Sequence, residues 1–361
     1  MRFARAALIG MLVLAFAGCG SLVPQQSTSS DSALRAAGAA PAQLRHAGTT
    51  PAQLRHAGTT PAQLRHAGLP DLARALPSLP ASHAGSWMAA GAADKSSLLY
   101  VADEDTGNVL VYSYPKAELE GTLTGFYFPS GMCSDEQGDV YILNGGGTTV
   151  EVFAHGGTTP LRTLDLPGYP ELNCSVDKSG DLALGVLLTG EQSAIAVFAD
   201  GQGTATTYQP SGQVGIPGCG YDPHGNLYCD AYSSDDHKFV LYELPKGSST
   251  VSTVSVSGAS SLKAGPVQWA DKGLAVGSGA LGTIYQLAFS GSGASVTGST
   301  TLYGTGWVWQ FWVQGKRIIV PTYAGGAGAE VGYWSYPGGV NPTKTIPASY
   351  QPDGATISTV K

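Results

Sequence analysis

Four cysteines, a group of aromatic rings and two acidic loops are the places where this chain could do chemistry. Cys219 and Cys229 lie symmetrically about a turn at His224, so a hairpin there sets them opposite each other. Cross-strand Cβ atoms sit about 4.5–5.5 Å apart, near enough to bridge. Cys133 and Cys174 hold matching positions in consecutive repeat units, on strands expected to be neighbours. In an exported protein, four cysteines so placed predict two disulfides, Cys133–Cys174 and Cys219–Cys229. A Cys-lined metal site is the alternative, but no His recurs beside them.

Trp307, Trp309 and Phe311 alternate along one stretch, with Trp312 on the opposite face and Trp269 on the preceding unit. Alternate residues of a strand share a face. Trp269, Trp307, Trp309 and Phe311 are therefore the candidate ligand-binding residues, a platform suited to sugars, peptides or apolar ligands. The same pattern also serves packing between sheets. Asp103-Glu104-Asp105-Thr106-Gly107-Asn108 has the flavour of a calcium loop, and Asp235-Asp236-His237 falls in an equivalent loop. Neither supplies the spaced oxygens and terminal bidentate acid that Ca²⁺ needs, so both read as acidic, solvated hairpin tips. No G-x-S-x-G, no H-E-x-x-H and no G-x-G-x-x-G followed by a helix is present. No catalytic, metal or cofactor-binding residue is assigned, and no cofactor is expected.

These groups must be positioned by repeats. The theme D-x-x-G-[DN]-[LV]-[YA] begins at Asp135, Asp177 and Asp222, with degenerate copies at Asp94, Asp271 and around Gly315-Lys316-Arg317. The spacing of the clear copies suits a propeller blade. Asp and Gly make a tight hairpin turn, the carboxylate accepting backbone N–H groups and Gly taking positive φ. Each unit then offers a P-x-G-type strand, a second strand, a third ending in an aromatic (Tyr112, Phe153, Phe198) and a Thr-rich outer strand such as Arg162-Thr163-Leu164. The expected fold is all-β: a six-bladed β-propeller over residues 86–361, four antiparallel strands per blade. Of two candidate terminal strands, the C-terminal copy at Pro352-Asp353-Gly354 has the better P-x-G form. It is expected to supply the innermost strand of the first blade, with the Trp87 segment packed as an accessory over a rim or blade edge.

The P-x-G-x-x-x-D-x-x-G pattern resembles that of the NHL-repeat propellers and, more loosely, their gluconolactonase and streptogramin-lyase-like relatives. The resemblance covers about residues 87–361 and implies architecture rather than activity. Gluconolactonase-like propellers hold a metal in the channel with a Glu, two Asn and an Asp. Here the inner strands offer Asn173, Gln268 and Gln310 without a matching acidic set, so no family site residue carries over.

The N-terminus reads as an address. Arg2 and Arg5 precede an apolar run ending Ala15-Phe16-Ala17-Gly18-Cys19, which resembles a bacterial lipobox. Residues 1–18 are read as a lipoprotein signal peptide and Cys19 as the lipidated residue. Gly20, where Asp would resemble an inner-membrane retention signal, favours the outer membrane of a double-membraned cell. Residues 19–85 form a low-complexity, disordered linker in which A-G-T-T-P-A-Q-L-R-H recurs. One Leu per ten residues cannot offset the entropy of ordering such a segment. Its His46, His56 and His66 have nothing to fix them as metal ligands. From Trp87 onward 24 carboxylates face 12 Lys and Arg, which disfavours nucleic acid as a partner. The function expected is a monomeric, envelope-anchored binding module for a protein, glycan or small molecule. The alternative is a hydrolase or lyase with its site in the channel.

Overall fold

The computed structural model describes residues 85–188, 192–233, 238–278, 282–305, 308–324, 328–347 and 351–361. Cys19, the segment read as a signal peptide, the decapeptide repeats read as a linker, Trp307 and the Asp235-Asp236-His237 loop lie outside the described residues.

The described residues are strands and turns with three short 3-10 segments. The first strands are β1 (Trp87–Met88), β2 (Ser97–Asp103), β3 (Asn108–Ser113) and β4 (Leu119–Thr124). A second sheet holds β5 (Pro129–Ser134), β6 (Val140–Asn144), β7 (Thr149–Phe153) and β8 (Pro160–Asp165). A third holds β9 (Tyr169–Val176), β10 (Leu182–Leu187), β11 (Ser193–Phe198) and β12 (Thr206–Tyr208). Then follow β13 (Gln213–Tyr221), β14 (Leu227–Ser233), β15 (Phe239–Leu244) and β16 (Ser252–Ser257). After them come β17 (Val267–Ala270), β18 (Gly273–Ser278), β19 (Thr283–Ser290) and β20 (Gly293–Thr301). The last are β21 (Trp312–Gln314), β22 (Arg317–Ala324), β23 (Gly328–Ser335), β24 (Lys344–Pro347) and β25 (Pro352–Thr359).

The repeat turns form for the anticipated reason. Asp135 Oδ1 accepts the N–H groups of Gln137 (3.0 Å) and Asp139 (2.8 Å). Asp177 and Asp222 do the same two and four residues on. Gly138 closes its turn at φ 90°, a conformation that costs a side chain dearly. Strand alternation then buries both faces of a sheet. On β2 and β3, Leu98, Tyr100, Val109 and Val111 pack toward β6, whereas Leu99, Val101, Leu110 and Tyr112 pack toward β22–β24.

Innermost strands β25, β5, β9, β13, β17 and β21 follow one another around an axis, and β21 returns to β25. This is the arrangement of a β-propeller. Adjacent inner strands come so close that a Cβ at Gly131 would stand 2.0 Å from the Leu172 carbonyl oxygen. One at Gly354 would stand 2.0 Å from that of Ser130. The glycine of the P-x-G motif is thus the residue that lets neighbouring sheets meet at the axis.

The ring closes through its C-terminal strand. β25 pairs antiparallel with β2, from Ser97 opposite Thr359 to Ala102 opposite Gly354. β1 pairs instead with the outer strand β4 and makes that sheet five-stranded.

One expectation needs correction. The strands form five hydrogen-bonded sheets, not six separate four-stranded blades. β16 and β20, the outer strands of two successive antiparallel units, pair in parallel through Ser255–Gly293, Val256–Ala294 and Ser257–Ser295, giving one eight-stranded sheet. The β19–β20 hairpin is long, and its tip at Gly293 carries no side chain to hold the two edges apart. Each edge thereby covers the other's unpaired backbone groups.

Candidate functional site

Both disulfides are present. Cys219 and Cys229 face each other in register on β13 and β14, with Cα atoms 4.1 Å apart. Cys133 on β5 and Cys174 on β9 join two adjacent sheets across a Cα separation of 5.5 Å. The second bridge also lines a cavity of about 160 Å³ on the axis. Ser134, Asn173, Tyr221, Gln268, Trp269, Gln310 and Trp312 are among its other walls.

The side-chain amides of this cavity are occupied, whereas the buried indole nitrogen of Trp269 has no hydrogen-bond partner among the described residues. Gln310 is buried, and its Oε1 accepts the N–H groups of Met132 (3.1 Å) and Ala355 (2.8 Å) while its amide donates to the Met132 carbonyl. Asn173 donates to the carbonyl oxygens of Val267 (2.8 Å) and Cys219 (3.3 Å) and accepts the Cys219 N–H (3.2 Å). Gln268 accepts the Val313 N–H at 2.6 Å and donates to its carbonyl at 3.2 Å. Each amide therefore ties an inner strand to backbone farther round the ring. A ligand would have to displace those bonds, leaving buried peptide groups unpaired at about 1–3 kcal/mol each.

Aromatic side chains make up much of the remaining wall. Trp269 lies between two four-stranded units, its ring stacked with Phe289 (5.4 Å between centroids) and Tyr228 (5.8 Å). It is half-buried and also faces the cavity. Trp312 is half-buried there too, with its indole N–H donating to Gln314 Oε1 at 3.1 Å. The expected alternation does not extend through this stretch, because β21 begins only at Trp312. Phe311 is buried beneath Val308 and Leu302, at the cavity wall, whereas Trp309 is 38% exposed and lies outside it. The structure thus brings Trp269 and Phe311 to the cavity, adds Trp312 and Tyr221, and places Trp309 elsewhere.

Three carboxylates, buried Asp230 and Asp103 and half-buried Glu171, take roles that the sequence did not indicate. Asp230 accepts the N–H groups of Gly218 (3.1 Å) and Gly265 (2.8 Å), bridging β13 to the segment before β17. Burial holds its carboxyl well above the usual range, opposed by those two bonds and reinforced by nearby Glu171. Glu171 accepts the Ile216 N–H and is likewise raised by burial. Asp103, expected at a solvated loop tip, is fully buried. Its Oδ1 accepts the N–H groups of Asp105, Thr106 and Gln351, tying β2 to the start of the closing strand. Among the described residues no three His, Cys, Asp or Glu side chains are grouped so as to hold a metal ion.

Burial raises the Asp103 carboxyl to about 6. An unfolded Asp titrates near about 3.9, so between these values the folded chain holds the extra proton. Its stability falls as pH rises through that window. Asp103→Asn keeps the Oδ1 acceptor and removes the charge. It is expected to stabilise the domain by about 1–3 kcal/mol at pH 7.5 and by little at pH 4. Urea unfolding at the two pH values measures the difference.

The fold is shared with solved structures. A chain in the crystal structure of a nidogen/laminin complex is 14% identical with a TM-score of 0.58, the match covering 73% of this chain and 99% of that one. A protein of unknown function from Bacteroides caccae is 11% identical with a TM-score of 0.55, again over 73% of this chain and 99% of the other. No protein-family model and no curated protein matches the chain. At these identities the likeness speaks for the fold alone.

Proposed function

We propose that this chain is a lipid-anchored envelope protein whose propeller acts as a monomeric binding module, holding a protein, glycan or small-molecule ligand at the mouth of the axial cavity. The observation that carries this reading is the engagement of Asn173, Gln268 and Gln310 with backbone of the ring. Amides so engaged suit a rigid scaffold better than a reacting centre. What lines the cavity without such duties is largely aromatic: Tyr221, Trp269 and Trp312. Rings of this kind gain from stacking on sugar or peptide surfaces.

The two disulfides fit a protein that folds in an oxidising compartment. Among the described residues no helix is long and apolar enough to cross a membrane. Attachment through lipid on Cys19 meets both observations, and Gly20 after it favours the outer membrane. Cys19→Ser is expected to move the protein into the soluble fraction and abolish lipid labelling; a mutant that stays on the membrane contradicts the anchor.

Ligand capture is tested with immobilised glycan and peptide panels probed by the purified full chain and by its Trp312→Ala variant. At least one class should be retained, and the variant should bind it about tenfold more weakly, near 1.4 kcal/mol. Retention that is indifferent to Trp312 moves the site away from the axis. Conversion of a retained ligand into product, lost in Asn173→Ala, would replace this reading with a channel hydrolase or lyase.

A further inference from the structure

A second recess lies between the first and last sheets of the ring. Register places its walls. Gln314 pairs with Arg317, and Arg317 with Ser335, so all three share one face of the β21–β24 sheet. Two residues along that face, Tyr333 pairs with Ile319 and Lys344. Ile319 and Tyr333 pack on Leu99 and Tyr112 of the first sheet. Toward the rim this apolar contact gives way to Gln314, Arg317 and Ser335. From the opposite sheet, the turn after β3 contributes Tyr114, whose ring stacks on Tyr333 with centroids 6.1 Å apart. Lys344 Nζ donates to the Pro115 and Lys116 carbonyl oxygens and fastens that turn in place.

The result is an open cleft of about 400 Å³ lined by Tyr114, Gln314, Lys316, Arg317, Ser335 and Thr343. No carboxylate lines it, although acids outnumber bases two to one in this domain. Other cations have found partners: Lys95 with Glu120, Arg162 with Asp139, Lys246 with Asp177. Lys316 and Arg317, adjacent in sequence, form no ion pair among the described residues. The neutral side chains add further donors. Gln314 Oε1 already accepts from Trp312, which leaves its amide hydrogens without a protein acceptor among the described residues, and Ser335 and Tyr114 of the lining carry hydroxyls. Two cations and three further donors exceed what the two oxygens of one carboxylate accommodate. A group with three or four oxygens matches them, and the guanidinium fork suits it.

We propose that this cleft binds a tetrahedral oxyanion, the phosphate or sulfate group of a small ligand, with Arg317 and Lys316 as its charged contacts. The site is independent of the axial cavity, so either reading can fail without the other. The test is calorimetric titration of the full chain at low chloride with inorganic phosphate, sulfate and a hexose phosphate. One saturable site is expected for phosphate or sulfate, and tighter binding of the hexose phosphate would identify a phosphorylated sugar as the source. The Lys316→Gln, Arg317→Gln double variant should bind at least tenfold more weakly with an unchanged thermal midpoint. The control Lys272→Gln, at an exposed turn elsewhere, should bind normally. Vesicles containing phosphatidylglycerol, probed with the Cys19→Ser chain so that no lipid on Cys19 holds it to them, make a third arm: if they bind this chain and inorganic phosphate displaces them, a lipid headgroup is the source. Absence of saturable phosphate and sulfate binding, equal binding by the double variant, or vesicle binding that phosphate does not displace would each overturn the proposal.

Discussion

Deleting residues 352–361 is expected to leave a ring that does not close. β25 contributes fully buried Ala355, Thr356 and Ser358 and nearly buried Ile357. It also supplies the Ala355 N–H that Gln310 accepts, the Ile357 carbonyl that Ser134 Oγ donates to, and Ser358 Oγ against the ring of buried His155. Losing Ile357 alone costs about 2–5 kcal/mol. Stranding several buried polar groups adds about 1–3 kcal/mol for each. Together these approach the whole stability of an ordinary domain, about 5–15 kcal/mol. The deleted chain also bares the hydrogen-bonding edge of β2, an invitation to aggregate. Removing residues 85–90 should cost far less, because β1 is two residues long and pairs on an outer edge. Urea unfolding and light scattering of the two deletions report the contrast. Equal stability of both would show that β25 does not close the ring.

Asp230→Ala carries the second large effect. The substitution strips two buried N–H groups, those of Gly218 and Gly265, of their acceptor. A loss of about 2–5 kcal/mol is expected. The pH dependence adds a signature that a simple cavity would lack. The folded carboxyl is raised by burial, so native stability declines as pH climbs from the ordinary carboxylate range toward the raised value. The penalty of the substitution should therefore be largest near pH 4 and shrink as pH rises. A penalty that grows with pH would mean that the folded carboxylate is favoured in its charged form, contrary to this account.

Local features and those carried by the repeat were legible in the sequence, and contacts outside the repeat were not. The Asp135, Asp177 and Asp222 turns are complete within five residues, so their hydrogen bonds could be anticipated. Cys219 and Cys229 flank one such turn, and the repeat period aligned Cys133 with Cys174. Closure by β25 followed from its P-x-G form, whose glycine the close approach to Ser130 requires. The parallel pairing of β16 with β20 had no such sign, since two Ser- and Gly-rich outer strands look alike whether apart or joined. Trp309 and Phe311 were read by strand alternation, yet both precede the strand and one is exposed while the other is buried. The roles of Asn173, Gln268, Asp103 and Asp230 depend on backbone groups brought near by the fold, which side-chain motifs do not encode. The basic cleft is the clearest case: Tyr114 and Arg317 lie far apart in the chain, and only ring closure makes them neighbours.

The central claim is that the amides of Asn173, Gln268 and Gln310, on or just before inner strands, hold the ring together and leave recognition to its mouths. The most direct measurement is hydrogen exchange at the side-chain NH₂ groups of Asn173, Gln268 and Gln310, resolved by NMR in the full chain. Slow exchange, with resonances unmoved by a bound ligand, is the result this account predicts. Exchange as fast as that of a surface glutamine such as Gln137, or large shifts on ligand binding, would contradict it.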